Sequence, residues 1–369
     1  MSRSTGRLIS IGLALLRTPF SWPRRKPSSP KRILVLHHLL LGDSIMLTGL
    51  LASLRARFPD AELAMAMPAG LVPLYQHRPY GVEPLPFNPR DAATIRALIT
   101  RPSPDWVLIP AENRYSWLAR AMGARWITAF AGDQPAWKNW MVDECLPCPD
   151  TPMAWGDWAA TMADHDARPV FHPDHWPAPT AAPFKQPVAP YVVIHIGSSS
   201  PLRRWEPEKW RTLAAHCESL GLEIALSCGP NERELAAAVD PEGRMHHFAG
   251  NLSLAQLWQL LAQARIVISL DTGVAHLVHL TGTPSVIIYG PGSPVLFSGG
   301  EFWRDHPEIK VALPDYACRD ENIIFMRHIP WAGHCGRTLK ACQSPRCMID
   351  LPVQSAIDAV HTLLSQTST

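Results

Sequence analysis

Four short polar stretches, each following an apolar run of strand length, hold residues that could handle a phosphorylated substrate. In "LLLGDS" (39–44), Gly42 lets the chain turn and Asp43 begins a helix, either as its N-cap or as a base for a hydroxyl proton. In "HIGSSSPLRRW" (195–205), Gly197 and Ser198, Ser199 and Ser200 offer backbone N–H groups and hydroxyls, with Arg203 and Arg204 adding positive charge. That combination suits phosphate oxygens, although a solvated polar loop has the same composition. In "LSCGPNERE" (226–234), Glu232 is either a ribose acceptor or a first-turn glutamate facing a helix dipole. In "ISLDTGVAH" (268–276), Asp271 and Thr272 precede a helix start, Gly273 permits close approach and His276 lies one turn on. These four residues form a capped helix with a satisfied histidine or a grip on a diphosphate.

Such residues need a scaffold that brings strand ends together, and the pattern supplies one. From residue 32, "RILVLHH", "ELAMAM", "DWVLIP" and "RWITAF" read as buried strands, separated by helical segments. One helix is expected across 42–58, with Ile45, Leu47, Leu50, Leu51 and Leu54 on its apolar face. A proline-dense stretch, 168–190, interrupts the alternation. It resumes with the strands "YVVIHIG", "LEIALSC", "RIVISL" and "SVIIYG" and a final helix "SAIDAVHTLL". The fold class is therefore α/β, with two Rossmann-like domains whose parallel sheets face a central cleft. The expected division is an N-terminal arm at 1–31, a first domain at 32–167, a linker at 168–190, a second domain at 191–350 and a helical tail at 351–369. Ligands in such folds bind beyond the carboxyl ends of strands, where all four stretches lie.

Composition narrows the function classes. At 47% hydrophobic and 18% charged, the chain is globular. Eight basic residues precede the first acid, Asp43, so the net +2 divides into +8 before Asp43 and −6 from there on. With the apolar run "LISIGLALL" (8–16), the arm reads as a contact to an anionic membrane surface. The run falls short of the roughly 20 residues of a spanning helix. A slightly acidic body argues against nucleic acid as a partner. Of eight cysteines, Cys335, Cys342 and Cys347 cluster without the paired short spacings of a zinc site, a chain with so large a core needs no disulfide framework, and a reducing cytoplasm is expected. The "CLPC" at 145–148 reads as a proline-bounded loop. Neither a Walker phosphate loop nor a dinucleotide fingerprint follows the first strand, and no metal-ligand motif is present.

Taken in order, the four stretches resemble the lipopolysaccharide heptosyltransferases, glycosyltransferase family 9. The similar segments are "RILVLHHLLLGDSIMLTGLLASLRARFPDAEL", "VVIHIGSSSPLRRWEPEKWRTLA" and "LSLAQLWQLLAQARIVISLDTGVAHLVHLTGTPSVIIYGP". The likeness runs from about residue 32 to 360 and is weakest over 132–190. It implies a GT-B fold with the active site between the domains. It also implies inverting, metal-independent heptose transfer from ADP-heptose to a lipid-linked lipopolysaccharide core, on the cytoplasmic face of the inner membrane. By correspondence, Asp43 is the general base. Ser198, Ser199 and Arg203 lie near the diphosphate, Glu232 near the ribose, and the Leu252 backbone near the adenine. Asp271, Thr272, Gly273 and His276 form the donor-sugar and diphosphate cluster. The chain departs from the family in "HHLLL" (37–41), where relatives carry a basic residue and serines. Another nucleotide-sugar transferase or epimerase of this fold, or a catalytically silent sugar-nucleotide binder, fits the same residues.

Overall fold

The computed structural model describes residues 12, 14, 15, 24–163, 169–314 and 316–366. The basic and apolar arm falls mostly outside the described residues. Two compact units emerge: Met1–Pro177 with Asn322–Ala332, and Ala178–Glu321 with Gly333–Thr369.

The first unit is a parallel sheet of β1 (Arg32–Leu36), β2 (Glu62–Met67), β3 (Val82–Pro86), β4 (Trp106–Ile109), β5 (Trp126–Phe130) and β6 (Glu144–Leu146). Their order is β3-β2-β1-β4-β5-β6. The central strands are apolar at nearly every position because helices cover both faces. Ile33 of β1 sits between Leu63 and Trp106, and the last four residues of β1 are buried. Helices α1 (Leu41–Met46), α2 (Thr48–Arg57), α3 (Ala92–Ile99), α4 (Ser116–Ala121) and α5 (Trp155–Ala160) complete the unit.

The single helix expected over 42–58 is instead two. The Leu47 N–H bonds back to Ser44, one residue short of helical register, and the Thr48 hydroxyl donates to the Ile45 carbonyl. That local bond competes with the helical ladder at the junction. The apolar face is nonetheless as expected, with Ile45, Leu47, Leu50, Leu51 and Leu54 all buried. Gly156 allows α5 to lie against the end of α1, since a Cβ there would come 2.7 Å from the Met46 carbonyl oxygen.

Residues 191–350 were expected to form one domain, but Asn322–Ala332 belongs to the first unit. Its short hairpin, β13 (Ile323–Ile324) and β14 (Arg327–His328), places Arg327 in the interior at 2% exposure. The guanidinium donates to the Ala111 carbonyl at 2.6 Å, the Asn113 amide oxygen at 2.6 Å and the Ala131 carbonyl at 2.9 Å. A planar fork with five donors can satisfy several fixed acceptors at once.

The second unit repeats the plan with β7 (Tyr191–His195), β8 (Glu223–Ser227), β9 (His246–His247), β10 (Ile266–Leu270), β11 (Ser285–Tyr289) and β12 (Glu308–Ala312). The order is β12-β11-β10-β7-β8-β9, the same doubly wound order as the first sheet. Helices α6 (Pro207–Ser219), α7 (Arg233–Val239), α8 (Leu254–Ala262), α9 (Gly273–Thr281), α10 (Arg346–Ile349) and α11 (Val353–Gln366) flank it. Ser253 and Gln256 form a capping box at the start of α8, and Gly282 ends α9 with φ 73°. The core joins Trp210, Leu213 and Cys217 of α6 to Ile357, Val360 and Leu363 of α11. Each fully buried aliphatic side chain contributes about 1.5–3 kcal/mol.

Strands β3, β6, β9 and β12 escaped the sequence pattern, all being edge strands. β3 is an edge strand carrying Pro84 and Pro86, which an edge tolerates. β6 turns the first half of "CLPC" into an edge strand rather than a loop, with Cys145 opposite Ala129. All eight cysteines are free thiols. Among the described residues, no helix is long and apolar enough to cross a membrane.

Candidate functional site

In each doubly wound sheet the chain leaves in opposite directions from two neighbouring central strands, opening a crevice at their carboxyl ends. In the second unit those strands are β7 and β10, which pair from Ile266–Val192 to Ser269–His195. The serine–arginine loop leaves β7 and Asp271 leaves β10, so the topology brings both stretches to one crevice. Arg203 bridges them, donating from Nη1 to the Asp271 carbonyl at 2.6 Å and approaching its carboxylate at 3.7 Å.

Glu232 follows the neighbouring strand β8. It occupies the N-cap position of α7 but does not cap it. Its carboxylate reaches back, accepting from the Ser198 N–H at 2.8 Å and the Gly229 N–H at 2.9 Å. Arg204 adds a third contact at 3.3 Å. A Cβ on Gly197 would overlap the same carboxylate, which explains the glycine. Glu232 therefore ties the loop after β7 to the loop after β8. A carboxylate has about four acceptor positions, so one remains for a ribose hydroxyl.

The region from Asp271 to His276 differs from a simple cap. Thr272, not Asp271, is the N-cap residue of α9, and it makes no side-chain cap bond. Asp271 and His276 are 4% and 5% exposed. Among the described residues, Asp271 Oδ2, Thr272 Oγ1 and His276 Nδ1 lack hydrogen-bond partners. An unsatisfied buried polar group costs about 1–3 kcal/mol, so three in succession at a helix N-terminus are expensive unless something fills them. Burial raises the pKa of Asp271, against the opposing pull of Arg203. Burial, then His279, lowers His276 to about 3, so the ring is neutral at physiological pH. Gly292 lies against Asp271, and any side chain there would strike the carboxylate.

Of the remaining expected donor residues, Ser198 is buried and Ser199 exposed, on the loop after β7. Leu252 is half-buried, immediately before the Ser253 cap of α8. Sequence reasoning missed Gly292 and the residues beneath the site, His279, His306 and Glu308. The Gly-Pro-Gly run after β11 was a usable signal for Gly292, whereas Glu308 begins an unrecognised strand.

In the first unit the corresponding crevice lies between β1 and β4. Asp43 is half-buried in the first turn of α1, whose N-cap position is Leu40, so Asp43 is not the cap. His37 accepts the Leu39 N–H through Nδ1 at 3.1 Å. Burial, then His38, lowers His37 to about 3, so its single proton is on Nε2. His38 is exposed, with its ring edge-on to Phe87 at 6.0 Å.

Two α/β units of doubly wound order define a protein of the GT-B class. Known proteins agree. A model described as "Glycosyltransferase family 9 (heptosyltransferase)" matches residues 151–320. Lipopolysaccharide heptosyltransferase 1 of Salmonella typhimurium is 32% identical over 111 residues, 30% of this chain and 35% of that protein. The matched stretch thus spans about a third of that relative's length. Lipopolysaccharide heptosyltransferase 3 of Escherichia coli is 22% identical over 72% of this chain and 83% of its own. In structure, the E. coli ADP-heptose lps heptosyltransferase II aligns with TM-score 0.66 and 19% identity, covering 92% of this chain and all of that one. A family 9 glycosyl transferase from Veillonella parvula aligns with TM-score 0.69 and 16% identity, over 91% and 98% of the two chains. Residues 151–320 thus match glycosyltransferase family 9, and the chain as a whole shares the fold of its heptosyltransferases.

Proposed function

We propose that this protein is an inverting glycosyltransferase that moves a heptose from ADP-heptose to a lipopolysaccharide core acceptor. The observation that carries this reading is the trio of unpartnered buried atoms, Asp271 Oδ2, Thr272 Oγ1 and His276 Nδ1, at the start of α9. A helix N-terminus with free N–H groups receives an anion, and Arg203 lies across the same crevice. On this reading Ser198, Ser199, Arg203, Thr272, Gly273 and His276 meet the diphosphate and Asp271 the sugar. Glu232 accepts from the ribose through its remaining lone pair, and the Leu252 backbone meets the adenine. The E. coli heptosyltransferase WaaC is known with ADP and with ADP-2-deoxy-2-fluoro heptose, which supports an adenine nucleotide-sugar as donor.

Asp43 takes the proton from the acceptor hydroxyl as it attacks the anomeric carbon. The departing diphosphate gains charge, which the α9 N-terminus and Arg203 offset. The division of labour is a base on the first unit and leaving-group stabilisation on the second. The basic arm, with residues such as Arg3, Arg7 and Arg17, holds the enzyme at the anionic inner-membrane surface on the cytoplasmic side.

The test supplies ADP-heptose with a truncated lipopolysaccharide acceptor and measures ADP release. The wild type should release ADP, and Asp43→Ala should reduce release at least a hundredfold while ADP still binds. Normal turnover by Asp43→Ala removes the base assignment. Preference for UDP-sugars points to a different transferase or epimerase, and tight ADP binding without transfer to a silent binder.

A further inference from the structure

Where α6 packs against α11, two histidines 145 positions apart in the chain turn their Nε2 atoms toward each other at 2.9 Å. The rings of His216 and His361 lie 4.8 Å apart between centroids and meet at 67°. His216 is half-buried and His361 exposed. The core beneath them fixes both backbones. Leu213 and Cys217 flank His216, Val360 and Leu363 flank His361, and all four belong to one buried cluster. His216 is in the last turn of α6, which leaves the carboxyl end of β7 and runs back toward the start of β8. The pair therefore lies toward the amino-terminal edge of the sheet, opposite the crevice that holds Asp271.

A neutral imidazole has one N–H and one lone pair, so a direct bond between two Nε2 atoms forces opposite tautomers on the two rings. A cation instead takes the lone pair of both Nε2 atoms and leaves the proton of each ring on Nδ1. Imidazole is the commonest protein ligand of transition metals and suits nickel, copper and zinc. With metal–nitrogen bonds of about 2.0–2.1 Å, nitrogens 2.9 Å apart subtend an angle of about 90° at the metal. That is the angle between neighbouring ligands in the tetragonal geometry of nickel(II) and copper(II). Tetrahedral zinc(II) needs a separation of about 3.3 Å, within reach of a small rotation of the exposed His361 ring. Among the described residues, no group of three or more histidine, cysteine, aspartate or glutamate side chains could hold a metal. The protein thus supplies two nitrogens and water completes the shell. Because both helices are already held by the core, little chain ordering opposes capture.

We propose that His216 and His361 form a two-histidine site for a divalent late transition cation, which clasps the C-terminal helix α11 to α6. The site is independent of the donor reading, since it shares no residue with the crevice.

The experiment uses nickel(II) and the full chain. Calorimetry gives the Kd, and thermal unfolding is then followed at a free nickel(II) concentration about a hundred times that value. The wild type should melt about 5–10 °C higher than without metal. His361→Ala and His216→Ala each keep one ligand, and their shifts at the same concentration should be below about 2 °C. Equal shifts in all three proteins assign the nickel to other ligands, the free cysteines included, and overturn the inference. Absence of any nickel binding by the wild type overturns it too. A check that needs no variant is hydrogen exchange of the wild type. Nickel(II) should slow exchange in peptides covering 207–219 and 353–366, and slowing confined to other segments overturns the clasp.

Discussion

Glu232 offers the sharpest test of how the donor loops are held. Its carboxylate accepts two backbone N–H groups, from Ser198 at 2.8 Å and Gly229 at 2.9 Å, and contacts Arg204 at 3.3 Å. Glu232→Ala leaves both amides without their acceptor and removes the partner of Arg204. Hydrogen bonds to a charged group contribute about 1.5–3 kcal/mol each. The carboxylate is 13% exposed, so water replaces part of the loss. About 3 kcal/mol is the expected net destabilisation of the second unit, which for a unit of this size lowers its melting temperature by about 6–12 °C. Thermal unfolding followed by tryptophan fluorescence reads this directly, because Trp205 and Trp210 are buried in that unit. Glu232→Gln should recover little, since an amide presents donors to one of the same N–H groups. A melting temperature within about 2 °C of wild type for Glu232→Ala would falsify the tie between the loops. Glu232 would then be free for ribose alone, and ADP affinity would fall without any loss of stability.

Two further outcomes follow from burial. Asp271→Asn removes a buried charge with one unpartnered oxygen, so stability should change by less than about 1 kcal/mol, while ADP-heptose binding weakens about tenfold more than ADP binding. Competition binding measures this, and equal losses for the two ligands would rule out Asp271 as a sugar contact. The second concerns acid: burial lowers His195 to about 4 and His276 and His306 to about 3, all below the ordinary 6.5. The unfolded chain therefore binds more protons, so stability contributed by these neutral rings is complete above pH 6.5 and is lost as pH falls toward 3–4. At pH 5 the loss is about 2 kcal/mol per histidine, visible as a lower denaturant midpoint, and an unchanged midpoint between pH 7 and pH 5 would show that the rings are not held neutral.

Much of the scaffold was legible because parallel strands covered on both faces must be apolar almost throughout. β1, β2, β4, β5, β7, β8, β10 and β11 all appear as such runs, and both crevices open beside them. What escaped lies where burial is one-sided or long-range. β3 and β12 carry Pro84 and Lys310 on edges that tolerate them. The return of Asn322–Ala332 to the first unit depends on Arg327 finding carbonyls nearly two hundred positions earlier in the chain, and no local pattern encodes such a partner.

The candidate site divides along the same line. Polar residues at strand ends are local signals, and Asp43, Ser198, Glu232 and Asp271 were all found that way. Their orientation was not, because an acid at a helix start can cap, bind or brace, and spacing does not distinguish these. Asp271 was expected to double as the cap; the chain places Thr272 there instead and buries the carboxylate against Gly292. Glu232 was read as a ribose acceptor or as a glutamate facing the α7 dipole; its carboxylate turns back because Gly197 and Gly229 leave space beside two free N–H groups. In both cases a glycine distant in sequence decides what the acid does. A side chain's chemistry is read from its own position, but its task is set by the residues that leave room for it.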